Sequence, residues 1–476
     1  MLARPWRMQP GGATTDRRRF ASAVGLVAGL MALGYGVFAQ GGFYPRQFRW
    51  LLLLLAIGAV AGLVAVPPRR EDLAHPLIAL SGSLLAWSVC SALVAGFFRG
   101  AAPVAGLLAC IAALALIVDR LTPADRSVLE AGVLALGVVV ALDGWYGVAW
   151  HHRPAALTDQ GLWRAASPIT YANGTAGLLV PLALFSLARA MDGRSVRLGE
   201  RVLRWLTTYL LLCGAAATLS RAGGIALIAG LALIGLFGGV WRLARTGGPV
   251  LIASAIALAG LLPSTPDGSR SRPALSLVCL ALGAALVVLA ALPSDALGRA
   301  GRAGLALAAV VTVGLGAALV ATHHAELSSA MRRIRSVRLT ATSTDRVDEW
   351  HATWQVIGDR PIVGIGPGHF VLVYHTKGGA TLTERYAHNE YLQLFAEEGG
   401  VGLTVLTGGL VLVVARLIRA WRRRRPEAVG GLAALGALGV HSAFDFLWHI
   451  PAVVLLPLAL ICLALTHGPR TARPTG

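Results

Sequence analysis

The sequence predicts an all-α polytopic membrane protein with about fourteen spanning helices and one large loop outside the membrane. Three observations carry that expectation. The chain is 56% hydrophobic and only 14% charged, against about 25% charged in soluble domains. Apolar runs of roughly 18 or more residues, long enough to cross a bilayer as helices, recur from end to end. The basic residues, all arginine except Lys377, concentrate in alternate connections between those runs, as the retention of basic loops on the cytoplasmic side requires. A formal charge of +19 would suggest nucleic acid in a soluble protein. Here topology accounts for it, and no nucleic-acid partner is expected.

Candidate spans lie near 20–40, 49–66, 77–97, 101–118, 127–150, 173–190, 202–219, 222–240, 249–264, 274–293, 303–322, 399–418, 428–446 and 450–466. Arg17, Arg18 and Arg19 precede the first; it is too long for a signal peptide and reads as an uncleaved anchor. With the N-terminus inside, 26 arginines fall on the inner side and eight on the opposite short connections, with seven more in one long loop. Both termini are therefore expected to be cytoplasmic. The organisation that follows is a basic N-terminus at 1–19, eleven spans over 20–322, an extracytoplasmic loop at 323–398, three spans over 399–466 and a tail at 467–476. Cys90, Cys110, Cys213, Cys279 and Cys462 all lie inside apolar runs, where thiols are small buried hydrophobes and neither a disulfide framework nor a zinc site is expected.

The long loop is the one sizeable soluble part. "ELSSAMRRIRSVRL" mixes basic and apolar residues as an interfacial helix does. "STDRVDEWHATWQVIGDRP" sets Val347, Trp350, Trp354 and Ile357 at helical spacing, with Ser343 or Thr344 as cap. "GIGPGHF" is a glycine-rich turn; with no strand before it and no βαβ unit after, it is not a dinucleotide loop. No nucleotide-binding P-loop and no G-x-S-x-G occurs. Residues 386–398 read as a helix running into the next span, with His388, Leu392 and Phe395 on one face.

Few residues in such a chain could carry chemistry. His388, in "AHNEYL" with Asn389 and Glu390, titrates near neutrality and suits a base or a hydrogen-bond donor at the membrane boundary. Arg221, in "TLSRAGG", occupies a very short outer connection, where an arginine is costly without a partner; its planar guanidinium suits bidentate contact with phosphate. The bland alternative is an arginine snorkelling to the headgroups. Arg346 shares a helix face with Trp350 and could equally be an i,i+3 partner of Glu349. Arg360 is a lesser candidate. Asp445 has His441 one turn before it and His449 one turn after; a metal could use that trio, but pairing with an arginine or orienting a histidine is the preferred reading, and no metal is expected.

Taken together, "TLSRAGG", "DRVDEWHATWQVIGDRPIVGIGPGHF" and "AHNEYLQLFAEEGGVGL" resemble the O-antigen ligase and polymerase family over roughly residues 205–420. "SPITYANGTAGLLV", around Asn173, resembles the family's asparagine-containing start of a span. The resemblance implies a GT-C-like, metal-independent inverting glycosyltransferase of the bacterial inner membrane, without cofactor. Its donor would be glycan on undecaprenyl pyrophosphate, and its acceptor a lipid, glycan or protein. It carries Arg221 over as the arginine after the ligase span, His388 as the loop histidine required for transfer and Arg346 as the loop arginine. Asp445 resembles a late acidic residue in some members. Fourteen spans exceed the family's usual twelve or so. Within the class, a ligase, a polysaccharide polymerase and a protein O-oligosaccharyltransferase remain open. The rival outside it is a polysaccharide transporter or flippase, whose ionisable residues would lie deep in broken spans and not on one outer face.

Overall fold

The computed structural model describes residues 12–66, 74–192, 197–292, 298–338, 344–375 and 381–466. Most of the basic N-terminus, Lys377, the Ser343 cap and the tail from residue 467 lie outside what is described, while Thr344 is the first residue of its helix.

Helices form where the apolar runs predict them. They are α1 (Gly12–Phe38), α2 (Pro45–Ala65), α3 (Pro76–Ala95), α4 (Ala101–Arg120), α5 (Pro123–Trp150), α6 (Ala172–Met191) and α7 (Leu198–Ala217). There follow α8 (Arg221–Gly238), α9 (Gly248–Leu261), α10 (Pro273–Ala291) and α11 (Arg299–Thr322). After the long loop come α14 (Glu390–Arg422), α15 (Ala428–Ser442) and α16 (Pro451–Leu465). Proline opens several of them, at the first-turn positions where its missing N–H costs nothing. Among the described residues, 11 helices are long and apolar enough to cross a membrane. The other three predicted spans are α7, which carries Glu200, Arg201 and Arg204 in its first two turns, and the 15-residue helices α15 and α16.

Helices α6 and α16 are the centre. In α6, 89% of the apolar window is buried, and every residue of α16 is buried. Both are apolar on all sides, the pattern of helices surrounded by other helices. Gly177 lets Leu447 and Val453 reach the α6 backbone, where a Cβ would crowd both. By contrast α11 is a peripheral helix, with 6% of its window buried. Four of the five cysteines are buried and all are free; Cys90 departs from expectation by facing outward on α3.

The connections sort onto two ends of the bundle. At one end Ser22 bonds to Asp125, Arg189 pairs with Glu130 and Glu427, and Arg425 donates to the Thr466 carbonyl. These are the arginine-rich connections. At the other end the 151–171 connection meets Thr218, Ser264 and Asp445. The described ends of the chain, near Ser22 and Thr466, share the arginine-rich end.

That second end is built of more than helix. Residues 156–165 form an antiparallel hairpin, β1 (Ala156–Asp159) and β2 (Leu162–Ala165). Gln160 and Gly161 turn it with φ of 51° and 72°, the positive values a two-residue hairpin needs. In the long loop, α12 (His324–Arg338) and α13 (Thr344–Asp359) precede a second hairpin, β3 (Leu372–His375) and β4 (Thr381–Glu384).

Two expectations in this loop are corrected. The buried face of α13 is Glu349, Thr353 and Ile357, while Trp354 is exposed; Glu349 turns inward because a histidine receives it there. The helix after the hairpin begins at Glu390, not at 386, because Asn389 caps it by accepting from the Tyr391 and Leu392 amides, both at 3.1 Å. His388 therefore precedes the helix, with φ 42°, and does not share a helical face with Leu392 and Phe395.

The glycine-rich turn docks the loop onto α14. Gly399 interrupts that helix at φ 67° and ψ −173°, and a Cβ there would collide with the Ile362 carbonyl. Across the kink, the Ile365 and Gly366 amides donate to Ala396 and Glu397 carbonyls at 3.0 and 2.8 Å, and the Gly400 amide donates to Pro361 at 2.8 Å. The Gly368 amide donates to the Glu397 carboxylate at 2.7 Å, and Ser88 on α3 donates to Glu398 at 2.6 Å. These glycines hold the loop down.

Candidate active site

Asp445 is the anchor. It lies in the turn between α15 and α16 and is fully buried. Its carboxylate accepts from the Tyr171 hydroxyl at 2.6 Å, the Asn173 amide at 2.7 Å and the Phe446 N–H at 2.9 Å. Burying a carboxylate is expensive unless its lone pairs are filled, and here they are. Tyr171, just before α6, is held well above the usual tyrosine range by burial and by the Asp445 charge, so it stays a donor.

Arg346 comes to this carboxylate from the long loop. Its Nη1 donates to the Phe444 carbonyl at 2.7 Å, and its Nη2 lies 3.8 Å from Asp445 Oδ2. Its charge also acts on Glu349, three residues on. Trp350, one turn later, donates from its indole to the Ala387 carbonyl at 3.0 Å, which ties α13 to the strand of chain that carries His388.

Glu349 belongs to that histidine. His388 Nδ1 lies 3.2 and 3.3 Å from the two Glu349 oxygens, and the ring meets Phe446 edge-on at 5.2 Å. Burial lowers the His388 pKa, but the hydrogen bond and charge of Glu349, aided by Asp445, outweigh it and hold the histidine above its ordinary value. Glu349 is raised by its own burial and drawn back by His388, so the pair titrates as a unit. A carboxylate on Nδ1 fixes ring orientation and tautomer and leaves Nε2 for chemistry. Among the described residues, no hydrogen bond engages Nε2.

Asn173, on the first turn of α6, joins this cluster to a second arginine. Its Oδ1 accepts from Arg164 Nη2 at 2.6 Å. Arg164, on β2, also binds Asp159 at 2.5 Å and donates from Nε to the Thr218 carbonyl at 2.8 Å. Three residues on is Arg221, the first residue of α8, whose helix is capped by Ser220 accepting from Gly223 N at 3.2 Å. A network thus runs from the turn before Arg221 through Arg164, Asn173 and Asp445 to Arg346.

The remaining candidates fall outside it. Asn389 is a helix cap. Glu390 is buried, accepts from the Trp448 amide and lies 3.5 Å from His449 Nδ1, so both residues shape the backbone around His388. The trio His441, Asp445 and His449 does not form the helical row its spacing suggests, because α15 ends at Ser442 and a turn follows. Among the described residues no group of three or more His, Cys, Asp or Glu side chains is arranged to hold a metal. Sequence reasoning missed Tyr171 and Arg164, and took Glu349 only as a neighbour for Arg346. The "TDQGLW" turn was the available signal for the hairpin that presents Arg164.

Residues 268–407 match the family model described as O-antigen ligase. The chain carries an O-antigen ligase-family segment. That segment supports a role in glycan assembly, in a family of glycosyltransferase-like ligases and polymerases with lipid-linked glycan donors and acceptors. It is narrower than the stretch over which the sequence resemblance runs. Arg346, Glu349 and His388 lie inside it, whereas Asn173, Arg221 and Asp445 lie outside. None of the curated proteins compared with the chain matches it.

Proposed function

We propose that this O-antigen ligase-family protein transfers glycan from an undecaprenyl-pyrophosphate donor to an acceptor hydroxyl on the outer face of the bacterial inner membrane. The observation that carries the reading is the pairing of an oriented histidine with an anchored arginine. Glu349 sets His388 at 3.2 Å, and Asp445 and Phe444 set Arg346, at the end of the bundle covered by the long loop.

The chemistry follows from those roles. The acceptor oxygen attacks the anomeric carbon, and its proton passes to His388 Nε2. The bond from that carbon to the pyrophosphate oxygen breaks, and the pyrophosphate leaves with the electron pair. Pyrophosphate is a good leaving group, so the site mainly needs fixed positive charge where negative charge develops. Arg346 supplies it, and Arg221 adds a guanidinium at a helix N-terminus, itself favourable to anions. A single displacement gives inversion. Two guanidiniums make a divalent cation unnecessary, so chelation should leave turnover intact.

The test incubates purified protein with labelled undecaprenyl-pyrophosphate oligosaccharide and no acceptor, beside His388→Ala. Lengthening of the lipid-linked glycan by the normal protein alone identifies a polymerase. Donor consumption that requires an added acceptor identifies a ligase. Proton- or sodium-coupled flux in vesicles with no transfer to any acceptor would overturn the proposal in favour of transport.

A further inference from the structure

The opposite end of α6 opens into a cavity that transfer chemistry does not use. Asn173 and Met191 stand on the first and last turns of α6, about 27 Å apart at 1.5 Å per residue. Beside Met191 lies a cavity of about 320 Å³, whose lining includes Arg242, Arg424, Arg425, Phe237 and Trp421. One acidic side chain, Asp192, also lines it. Among the described residues, three guanidiniums and one carboxylate line a space large enough for a phosphodiester and its neighbouring hydroxyls, with Glu427 acting on Arg425 from beside it.

The wall is fixed by the fold. Trp421 donates from its indole to the Phe237 carbonyl at 2.9 Å, and the two rings meet edge-on at 5.2 Å. Arg424 sits at φ 55° where α14 ends, and Arg425 is held by the Thr466 carbonyl. Arg242 lies on the short helical turn Val240–Arg242 that follows Gly239 at φ 96°. The arginines therefore come from two separate connections and converge on one space.

What lies beside the cavity decides between a soluble anion and an amphiphile. Leu236, Val240 and Trp241 are 73%, 61% and 75% exposed, forming an apolar flank on the end of α8. Tryptophan at such a place marks the headgroup level of a membrane, and a basic pocket between spanning helices beside it suits an anionic headgroup. We propose that this cavity binds the phosphate of an anionic phospholipid, with its acyl chains laid along Leu236, Val240 and Trp241. The guanidiniums hold the phosphate bidentately, so a zwitterionic lipid, whose own cation opposes them, binds less well. The lipid fastens the α8–α9 connection to the α14–α15 connection, far from His388.

The experiment uses full-length protein in neutral detergent. Phosphatidylglycerol, phosphatidylcholine with the same chains, and inorganic phosphate are titrated in separate arms. Thermal unfolding and native mass spectrometry of bound lipid are read in each. Phosphatidylglycerol should raise Tm and give a retained adduct, with the other two giving neither. Arg242→Gln with Arg424→Gln should weaken phosphatidylglycerol binding by about tenfold or more, while His388→Ala keeps it. If the double variant does not fold, Arg242→Gln alone, at an exposed position, is read for adduct by mass spectrometry. Equal response to phosphatidylcholine, or retention of the adduct in the arginine variants, overturns the proposal. An equal Tm rise with inorganic phosphate alone overturns the lipid assignment, since the site would then read only the anion.

Discussion

Among the described residues, the end of the bundle beneath the long loop carries two histidine–glutamate pairs, and one of them is arranged as the proposed transfer requires. His388 faces Glu349 across 3.2 Å, and His449 faces Glu390 across 3.5 Å. Both glutamates are buried. Both histidines are lowered by burial and raised further by their glutamates, ending above the ordinary value. Charge therefore does not separate them; connectivity does. Glu390 also accepts from the Trp448 amide, and His449 Nε2 lies 3.3 Å from Gln393, so the Nε2 edge of that ring is already taken. His388 is engaged at Nδ1. It also stands beside Phe446 and the arginine held by Asp445. A perturbed histidine becomes a candidate base when one edge is oriented and the other is left for a substrate.

The sharpest way to break this comparison is to remove each ring. His388→Ala should lower turnover by about 10²- to 10⁴-fold, the usual contribution of a positioned base. His449→Ala should instead lower Tm, because Glu390 loses a partner at about 1–3 kcal/mol, while most turnover survives. Equal loss of turnover in both would erase the distinction.

Arg346 comes next. Arg346→Ala should cost about 10²- to 10³-fold in turnover, as losing a preorganised donor to the developing charge does. Arg346→Lys should recover little, since an ammonium cannot hold Phe444, Asp445 and a phosphate in one plane. Steady-state rates with labelled donor measure both.

The smallest effect is a shift and not a loss. Transfer through His388 needs the neutral ring, so turnover rises with pH through its raised pKa. Glu349→Gln removes the carboxylate that retains the proton, and the rising limb should move to lower pH in a pH–rate profile. Stability runs in the opposite direction. A histidine raised above its unfolded value of 6.5 contributes fully below that value and loses the contribution as pH climbs through the folded one. Glu390→Gln should leave the pH–rate limb in place.

Much of the architecture was legible in the sequence because water exclusion acts on composition: long apolar runs become helices whatever their neighbours. The glycine turn was legible for the same local reason. The site was legible in its residue types, His388, Arg346, Asp445 and Asn173, and much less in its pairings. Glu349 reads as surface because helical periodicity counts apolar residues, and it is buried by a histidine 39 positions away. Arg164 and Tyr171 were hidden in the 151–171 connection between two apolar runs, part of which folds into a hairpin. The start of α14 was misplaced because its apolar periodicity extends past the cap, although Asn389 before Glu390 is an ordinary helix-start signal.

Helices α15 and α16 are short for helices at the centre of a membrane bundle. Each has 15 residues, about 22 Å of rise, against a hydrocarbon layer of about 30 Å. Both share their arginine-rich end with the longer spans, and the rise of either is about 8 Å less than the thickness of that layer. The turn bearing Asp445 is thus carried on a shorter rise than the ends of the longer spans around it. For the proposed transfer, a shorter reach would let that turn meet a lipid-borne pyrophosphate nearer to the level its lipid holds it at.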